Sequence, residues 1–358
     1  MSLNTRIIQR LSSTRTLILS DTIDKPASDQ QNTQSPSDYS GLSPDLVLDA
    51  VESLGYLSDA RILALNSYEN RVYQVGIEES DPIIAKFYRP LRWSDDQIKE
   101  EHDFSLALAE QEIPVIPPLV KDGETLFEYQ GYRFSLYPRR GGHAPELEDL
   151  DTLYSLGQYL GRIHAIGKVA PFEHRPEIDI QSFGYDARQY LLDHDFLPKS
   201  LLEAYTSLSG HVLDKIQSIM NNTSYQRIRL HGDCHPGNIL VRYDTLHLVD
   251  LDDARNGPAI QDIWMLLSGD RAQKVSQLSS IVDGYEEFCE LDFKEFRLIE
   301  SLRALRMMHY SAWLAKRWED PAFPMAFPWF NSENYWAQHI LELREQLAEL
   351  DEPALALQ

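Results

Sequence analysis

One stretch constrains this chain more than any other: residues 226–256, QRIRLHGDCHPGNILVRYDTLHLVDLDDARN. Short apolar runs at Arg229–Leu230 and Ile239–Val241 bracket a loop holding His231, Asp233, His235 and Asn238. A third run, Leu246–Val249, delivers Asp250, with Asp252 and Asp253 following. Asn238 lies five residues after Asp233, and Asp250 twelve after Asn238. Read as a strand–loop–strand hairpin, this spacing brings a lone carboxylate, an amide oxygen and a second carboxylate to one rim. Phosphoryl transfer uses such a set: one Asp orients the attacking hydroxyl and accepts its proton, and an Asn/Asp pair holds Mg²⁺ on nucleotide phosphates. Two protein oxygens suffice, because Mg²⁺ keeps several of its waters. Turns are rich in Asp, Asn and Gly for conformational reasons alone. What sets this one apart is the ordered compound of His-Gly-Asp, Asn after five, an apolar strand and Asp-Leu-Asp.

The remaining sequence bounds the class. At 358 residues the chain holds one large or two medium domains with ample core. No apolar run approaches the ~20 residues a spanning helix needs, so no membrane partner is expected. A formal net charge of −23 argues against binding nucleic-acid backbones and leaves room for cationic substrates or basic peptide segments. Two cysteines, Cys234 and Cys289, cannot build a disulfide framework or a zinc site and read as free thiols in a reducing cytoplasm. Cys234 reads as a small filler between residues that carry the chemistry, rather than as a nucleophile.

Residues 1–42 read as a disordered N-terminal extension, crowded with Ser, Thr, Asp, Gln and Asn over residues 26–40. Arg6, Arg10 and Arg15 without an acid in the first twenty residues resemble a transit peptide, and a start assigned too far upstream is an equal explanation. The folded part is expected from Ser43, an N-cap ahead of Pro44 and a helix over 44–54. Strand-like runs follow at Ile62–Leu65, Val72–Val75 and Ile83–Tyr88. Between the first two lies NSYENR, where the Ser67 hydroxyl and loop amides could meet phosphate oxygens, although no glycine-rich cover is present. Lys86 sits on the third strand, like the strand lysine that grips nucleotide phosphates in kinases. In the helix over 95–111, Ile98, Glu101, Ser105 and Leu108 share one face, so Glu101 points inward, with Lys86 its nearest candidate partner.

Strands at Thr125–Tyr129 and Tyr132–Tyr137 lead to Pro138 and Arg139-Arg140-Gly141-Gly142, a lobe boundary whose arginines read as solvated. Beyond it the chain turns largely helical: from Asp149, over 188–222, at about 281–289, at 294–318 and at about 333–350. Gly157 and Gly161, four apart on the first of these, allow close packing, and His164 reads as a core histidine. The run PAFPMAFPWF, residues 321–330, reads as packing beneath the last helix. The organisation expected is α+β and bilobal: a nucleotide-binding lobe over 43–138 of sheet plus helix, and a mainly helical catalytic and substrate-binding lobe over 139–358, with ATP·Mg²⁺ in the cleft.

With Lys86, Glu101, HGDCHPGN and VDLDDA in hand, the sequence resembles the aminoglycoside-phosphotransferase and choline-kinase branch of the protein-kinase-like fold, and within it a group of cytoplasmic bacterial Ser/Thr protein kinases of the stress response. The resemblance runs from about residue 43 to 350 and includes LNSYENRVYQ, KFYRP, RLHGDCH and RWEDPAFP. It implies Asp233 as catalytic base, Asn238 and Asp250 as magnesium ligands with Asp250 also needed for turnover, and Ser67 as a phosphate contact. Lys86 and Glu101 are implied as the phosphate-positioning ion pair, and Asp262 as a structural residue receiving amide hydrogens from the catalytic loop. Magnesium is the implied cofactor and ATP the co-substrate. The implied partners are Ser/Thr-containing proteins, the kinase itself a further candidate, and a monomer is expected. The sequence departs from eukaryotic protein kinases in lacking a glycine-rich loop and an HRD arginine, and in carrying Asp-Leu-Asp for Asp-Phe-Gly, so control by an activation-loop phosphate is not expected. A small-molecule kinase of the aminoglycoside, choline or homoserine type would use the same catalytic residues. A closed pocket lined by Trp313, Trp318 and Phe323 would favour that rival, and an open groove a peptide. A binding-only pseudokinase is disfavoured, because Lys86, Asp233, Asn238 and Asp250 are all present.

Overall fold

The computed structural model describes residues 38–243 and 245–357, which divide into two compact units at Gly142/His143. The expectations for residues 1–37 lie outside the described residues. Residues 38–42, assigned above to the extension, belong to the first unit. The Tyr39 hydroxyl bonds the carbonyls of Glu69 (3.3 Å) and Phe87 (3.1 Å), and Leu42 is buried. Polar composition outweighed these two anchors in the reading of the stretch, yet each has apolar surface to hide.

The first unit is built on a five-stranded antiparallel sheet. Helix α1 (Pro44–Glu52) starts at Ser43, whose side chain accepts from the Leu46 amide, with Pro44 in the first turn. Strands β1 (Ser58–Ala64), β2 (Arg71–Ile77) and β3 (Ile83–Phe87) form a meander. After helix α2 (Asp95–Glu110) come β4 (Phe127–Tyr129) and β5 (Tyr132–Pro138), giving the order β1-β2-β3-β5-β4. Alternation sorts β3 between two faces. Ala85 and Phe87 join Val47, Ala50 and Val51 of α1 in one core, where Phe87 stacks on its register partner Phe134 at 5.2 Å. Each fully buried side chain of that size contributes about 1.5–3 kcal/mol. Lys86 and Tyr88 take the other face, towards α2, which opens on a Ser94/Gln97 capping box.

The second unit is mainly helical: α3 (Leu150–Gly167), α4 (Asp186–Asp193), α5 (Leu202–Asn221), α6 (Ile260–Trp264), α7 (Arg271–Tyr285), α8 (Ile299–Lys316), α9 (Ala322–Ala326) and α10 (Glu333–Glu349). Where α3 crosses α7, a Cβ on Gly157 would come within 2.0 Å of the Ile281 carbonyl, and one on Gly161 within 2.5 Å of that of Tyr285. Helix α7 starts ten residues before the expected helix, behind an Asp270/Gln273 capping box; Gln273, Lys274 and Gln277 dilute its apolar period. The run 321–330 packs as expected, with Phe323 fully buried and edge-on to Trp313 at 5.1 Å, and Phe330 against Trp318, Tyr335 and Trp336.

Four short strands frame the central loop: β6 (Ile228–Leu230), β7 (Ile239–Arg242), β8 (Thr245–Leu248) and β9 (Arg255–Gly257). The strands on either side of the loop do not pair with each other: β6 pairs with β9, and β7 with β8. The hairpin reading therefore holds for β7–β8 alone. A loop that carries its own side-chain anchors, described next, can lead from one ribbon to another without a shared ladder. Among the described residues no helix is long and apolar enough to cross a membrane.

Candidate active site

The central loop hangs from a buried carboxylate. Asp262, in the first turn of α6 and fully buried, accepts the His231 amide on Oδ2 and the Gly232 amide on Oδ1, each at 2.8 Å. Oδ2 also meets His164 Nε2 at 3.0 Å, and His164 Nδ1 meets the Tyr285 hydroxyl at 3.0 Å. His164 is thus a satisfied core histidine, and Asp262 has the amide-receiving role expected of it. Gly232 has φ +84°, and a Cβ there would fall 2.2 Å from the Asp253 carbonyl. Only glycine fits both the left-handed backbone and that approach. His231 Nε2 reaches the Val249 carbonyl at 3.0 Å, tying the loop to the end of β8.

On this frame Asp233 and Asn238 are brought together. The Asn238 side-chain amide donates to the Asp233 carbonyl at 3.0 Å, and the Asn238 carbonyl accepts from Val249 at 3.0 Å. Since Asn238 precedes β7 and Asp250 follows β8 across the register pair Ile239/Leu248, both stand at the same end of that hairpin. Asp250 is exposed and takes φ 61°, ψ 67°, a left-handed conformation uncommon for a residue with a side chain. Between Asp250 and Asp262 lie a 3-10 turn (Leu251–Asp253), β9 and the start of α6. That stretch leaves little chain for a phosphate to order.

Asp233 Oδ1 is paired with Arg306 Nη1 of α8 at 2.6 Å, and Oδ2 lies 3.5 Å from His235 Nε2. Burial works to raise its pKa, but Arg306, then His235, hold the carboxyl well below the usual range, so it is ionised. Its neighbour Cys234 is fully buried, and burial, followed by the charges of Asp262 and Asp233, pushes its thiol well up. That environment suits a filler and not a nucleophile.

In the first unit Lys86 and Glu101 are both buried, 7% and 3% exposed, which excludes a solvated edge lysine. Burial pushes the Tyr88 hydroxyl up, Lys86 pulls it down and Glu101 raises it again, so both charges act on one group; the Lys86 ammonium is 5.5 Å from the Tyr88 ring centre. His102 joins them, with Nε2 2.7 Å from the Tyr88 hydroxyl and 3.7 Å from Glu101 Oε2, and Nδ1 2.8 Å from Thr125 Oγ1. Ser67 is half-buried in the β1–β2 loop. That loop lacks glycine but is tied from below: Arg89 donates to the carbonyls of Glu69 (2.9 Å) and Tyr68 (3.0 Å), and its own amide donates to Asn70 Oδ1 (3.1 Å). Arg89 lies in the KFYRP motif, and Arg306 in a helix with no distinguishing pattern. Neither was assigned a role from sequence. The motif was a usable signal for Arg89; for Arg306 there was none, because its partner is far away in the chain.

The model of the phosphotransferase enzyme family matches residues 61–324, most of the chain. The chain belongs to this family. Among relatives of this phosphotransferase is the serine/threonine protein kinase RdoA of Salmonella typhimurium strain LT2, 45% identical over 319 residues, covering 89% of this chain and 97% of that protein. Stress response kinase A of Escherichia coli strain K12 is 44% identical over the same shares. Among solved structures, the amicoumacin kinase hAmiN in complex with AMP-PNP and Ca²⁺ matches with a TM-score of 0.69 at 18% identity, covering 88% of this chain and 95% of that one. A microcompartment-associated aminopropanol kinase matches at 0.67 and 19% identity, covering 88% and 100%. At such identities the two structures speak for the fold, the protein-kinase-like α+β fold expected from sequence. The chain is therefore a phosphotransferase.

Proposed function

We propose that this phosphotransferase is an ATP- and Mg²⁺-dependent protein kinase acting on Ser/Thr hydroxyls. The observation that carries the reading is the Asn238 amide on the Asp233 carbonyl, which fixes an ionised carboxylate and a potential metal ligand on one loop. Because the Asn238 nitrogen is committed there, its Oδ1 remains the acceptor to offer a cation, and Asp250 supplies a second hard oxygen. These two residues would hold Mg²⁺, which when bound neutralises charge on the nucleotide phosphates. Asp233 orients the acceptor hydroxyl; its oxygen forms the new bond to the γ-phosphorus as the bond to ADP breaks, and the proton passes to the carboxylate. Lys86, with Glu101 as the partner proposed for it, and Ser67 in its Arg89-anchored loop would contact the phosphates. Rate acceleration then comes from positioning and charge compensation.

The Ser/Thr acceptor is supported by relatives at 44–45% identity over nearly their whole length. The relatives' names extend the proposal to a role in the stress response, and two buried free thiols suit a cytoplasmic enzyme. Incubation with labelled ATP, magnesium and a degenerate Ser/Thr peptide library is expected to label Ser and Thr. Asp233→Ala should lower that rate by at least ~10²-fold, as loss of a general base does. Absence of Asp233-dependent label on any Ser or Thr would remove the proposal.

A further inference from the structure

Asp233 is gripped from outside its own loop. Its Oδ1 is shielded from water, and the 2.6 Å approach of Arg306 Nη1 is an ion pair rather than an aligned hydrogen bond. Arg306 stands on α8, a helix otherwise sunk in the second unit: Leu302, Arg303, Ala304, Leu305, Met307 and Met308 around it are all buried. Its backbone is therefore fixed, and its guanidinium reaches the loop from a rigid base. The second oxygen, Oδ2, has a looser neighbour. His235 Nδ1 accepts the Gly237 amide at 2.9 Å, which leaves Nε2 protonated and 3.5 Å from Oδ2, beyond a normal hydrogen bond. One oxygen of the carboxylate is pinned and the other is held only weakly.

We infer that Arg306 is a positioning residue for phosphoryl transfer: it locks Asp233 Oδ1 so that Oδ2 is presented to the acceptor hydroxyl. The inference rests on the reading of Asp233 as the base and adds the device that aims it. Without the guanidinium the carboxylate can turn about its last torsion, and the acceptor loses its alignment with the phosphorus; misplacement of about 1 Å costs on the order of 10²-fold in rate. Lysine in its place would keep the charge but not the planar fork, so it should recover only part of the effect.

The test uses the full chain with labelled ATP, magnesium and the Ser/Thr peptide library, alongside binding of a fluorescent ATP analogue. For Arg306→Gln, kcat is expected to fall by ~10²-fold while KM for ATP and analogue affinity stay within about twofold, since the residue acts through Asp233 and not through the nucleotide. Arg306→Lys should lie between the two. Arg306→Ala should regain activity on adding guanidinium ion at tens of millimolar, a rescue that a damaged fold could not show. Retention of kcat within about threefold in Arg306→Gln, or loss of kcat together with analogue binding and without rescue, would overturn the inference while leaving Asp233 as base. If the wild type labels no peptide and Asp233→Ala changes nothing, the reading on which it rests falls, and the inference with it.

Discussion

Three hydrogen-bond donors converge on the Asp262 carboxylate: two loop amides at 2.8 Å and His164 at 3.0 Å. None of its lone pairs faces water, so the residue cannot be replaced by its isostere at small cost. Asp262→Asn keeps one acceptor oxygen but turns an NH₂ group towards a donor. The expected loss is about 3 kcal/mol in urea unfolding, within the range for breaking a buried charged hydrogen-bond network, and activity should fall further than stability because His231 and Gly232 lead directly into Asp233. Retained activity at wild-type stability would show that the loop stands without this anchor. The residue was nameable from sequence only through family resemblance. Its three donors come from α3, from the central loop and from no neighbour in the chain, and burial of an Asp is not written in its local pattern.

Elements transmit such residue effects. Helix α6 is only five residues long, and its Ile260 amide is capped by the Glu295 carboxyl at 3.0 Å. Burial, then the charge of Asp292, pushes the Glu295 pKa up to about 7, against lowering by Lys168 and the backbone amides of Ile260 and Ala259. The folded chain thus holds a proton that the unfolded chain releases above its ordinary value of 4.5. Stability from this group is present at low pH, falls as pH rises from about 4.5 to about 7, and is flat above, a change of roughly 3–4 kcal/mol. Glu295→Gln should abolish that slope. Comparing the two proteins across pH 4.5–8 isolates it from His309, lowered to about 3 chiefly by burial, whose effect runs oppositely. Gly157→Ala should drive a methyl into the Ile281 carbonyl and cost about 2–3 kcal/mol by overpacking α3 on α7. In the first unit, Arg89→Ala should raise KM for ATP about tenfold with little change in kcat, by freeing the Ser67 loop.

At the scale of the whole molecule, the formal net charge of −23 sets a repulsive background against which every local contact works. Raising salt from about 20 to about 200 mM should increase the thermal midpoint by a few degrees through screening; a flat or falling midpoint would show that favourable ion pairs outweigh the repulsion. What the sequence determined by itself was whatever is coded locally. The apolar periods set the helices expected over 44–54 and 95–111 and found at 44–52 and 95–110, the Ser-Pro cap set the start of the first, and the Asp–Asn–Asp spacing set the candidate chemistry. Inward placement of Glu101 and close packing at Gly157 and Gly161 were legible for the same reason, since one helical turn fixes which residues share a face. Only the tertiary structure decided that β6 pairs with β9 and not across the loop, and that Tyr39 and Leu42 belong to the sheet's unit. It also decided that Arg306 grips Asp233 and that Arg89 ties the Ser67 loop through the carbonyls of Tyr68 and Glu69. Each of these is a contact between groups far apart in sequence. Their energy depends on distance and burial, quantities that exist only once the chain has closed on itself.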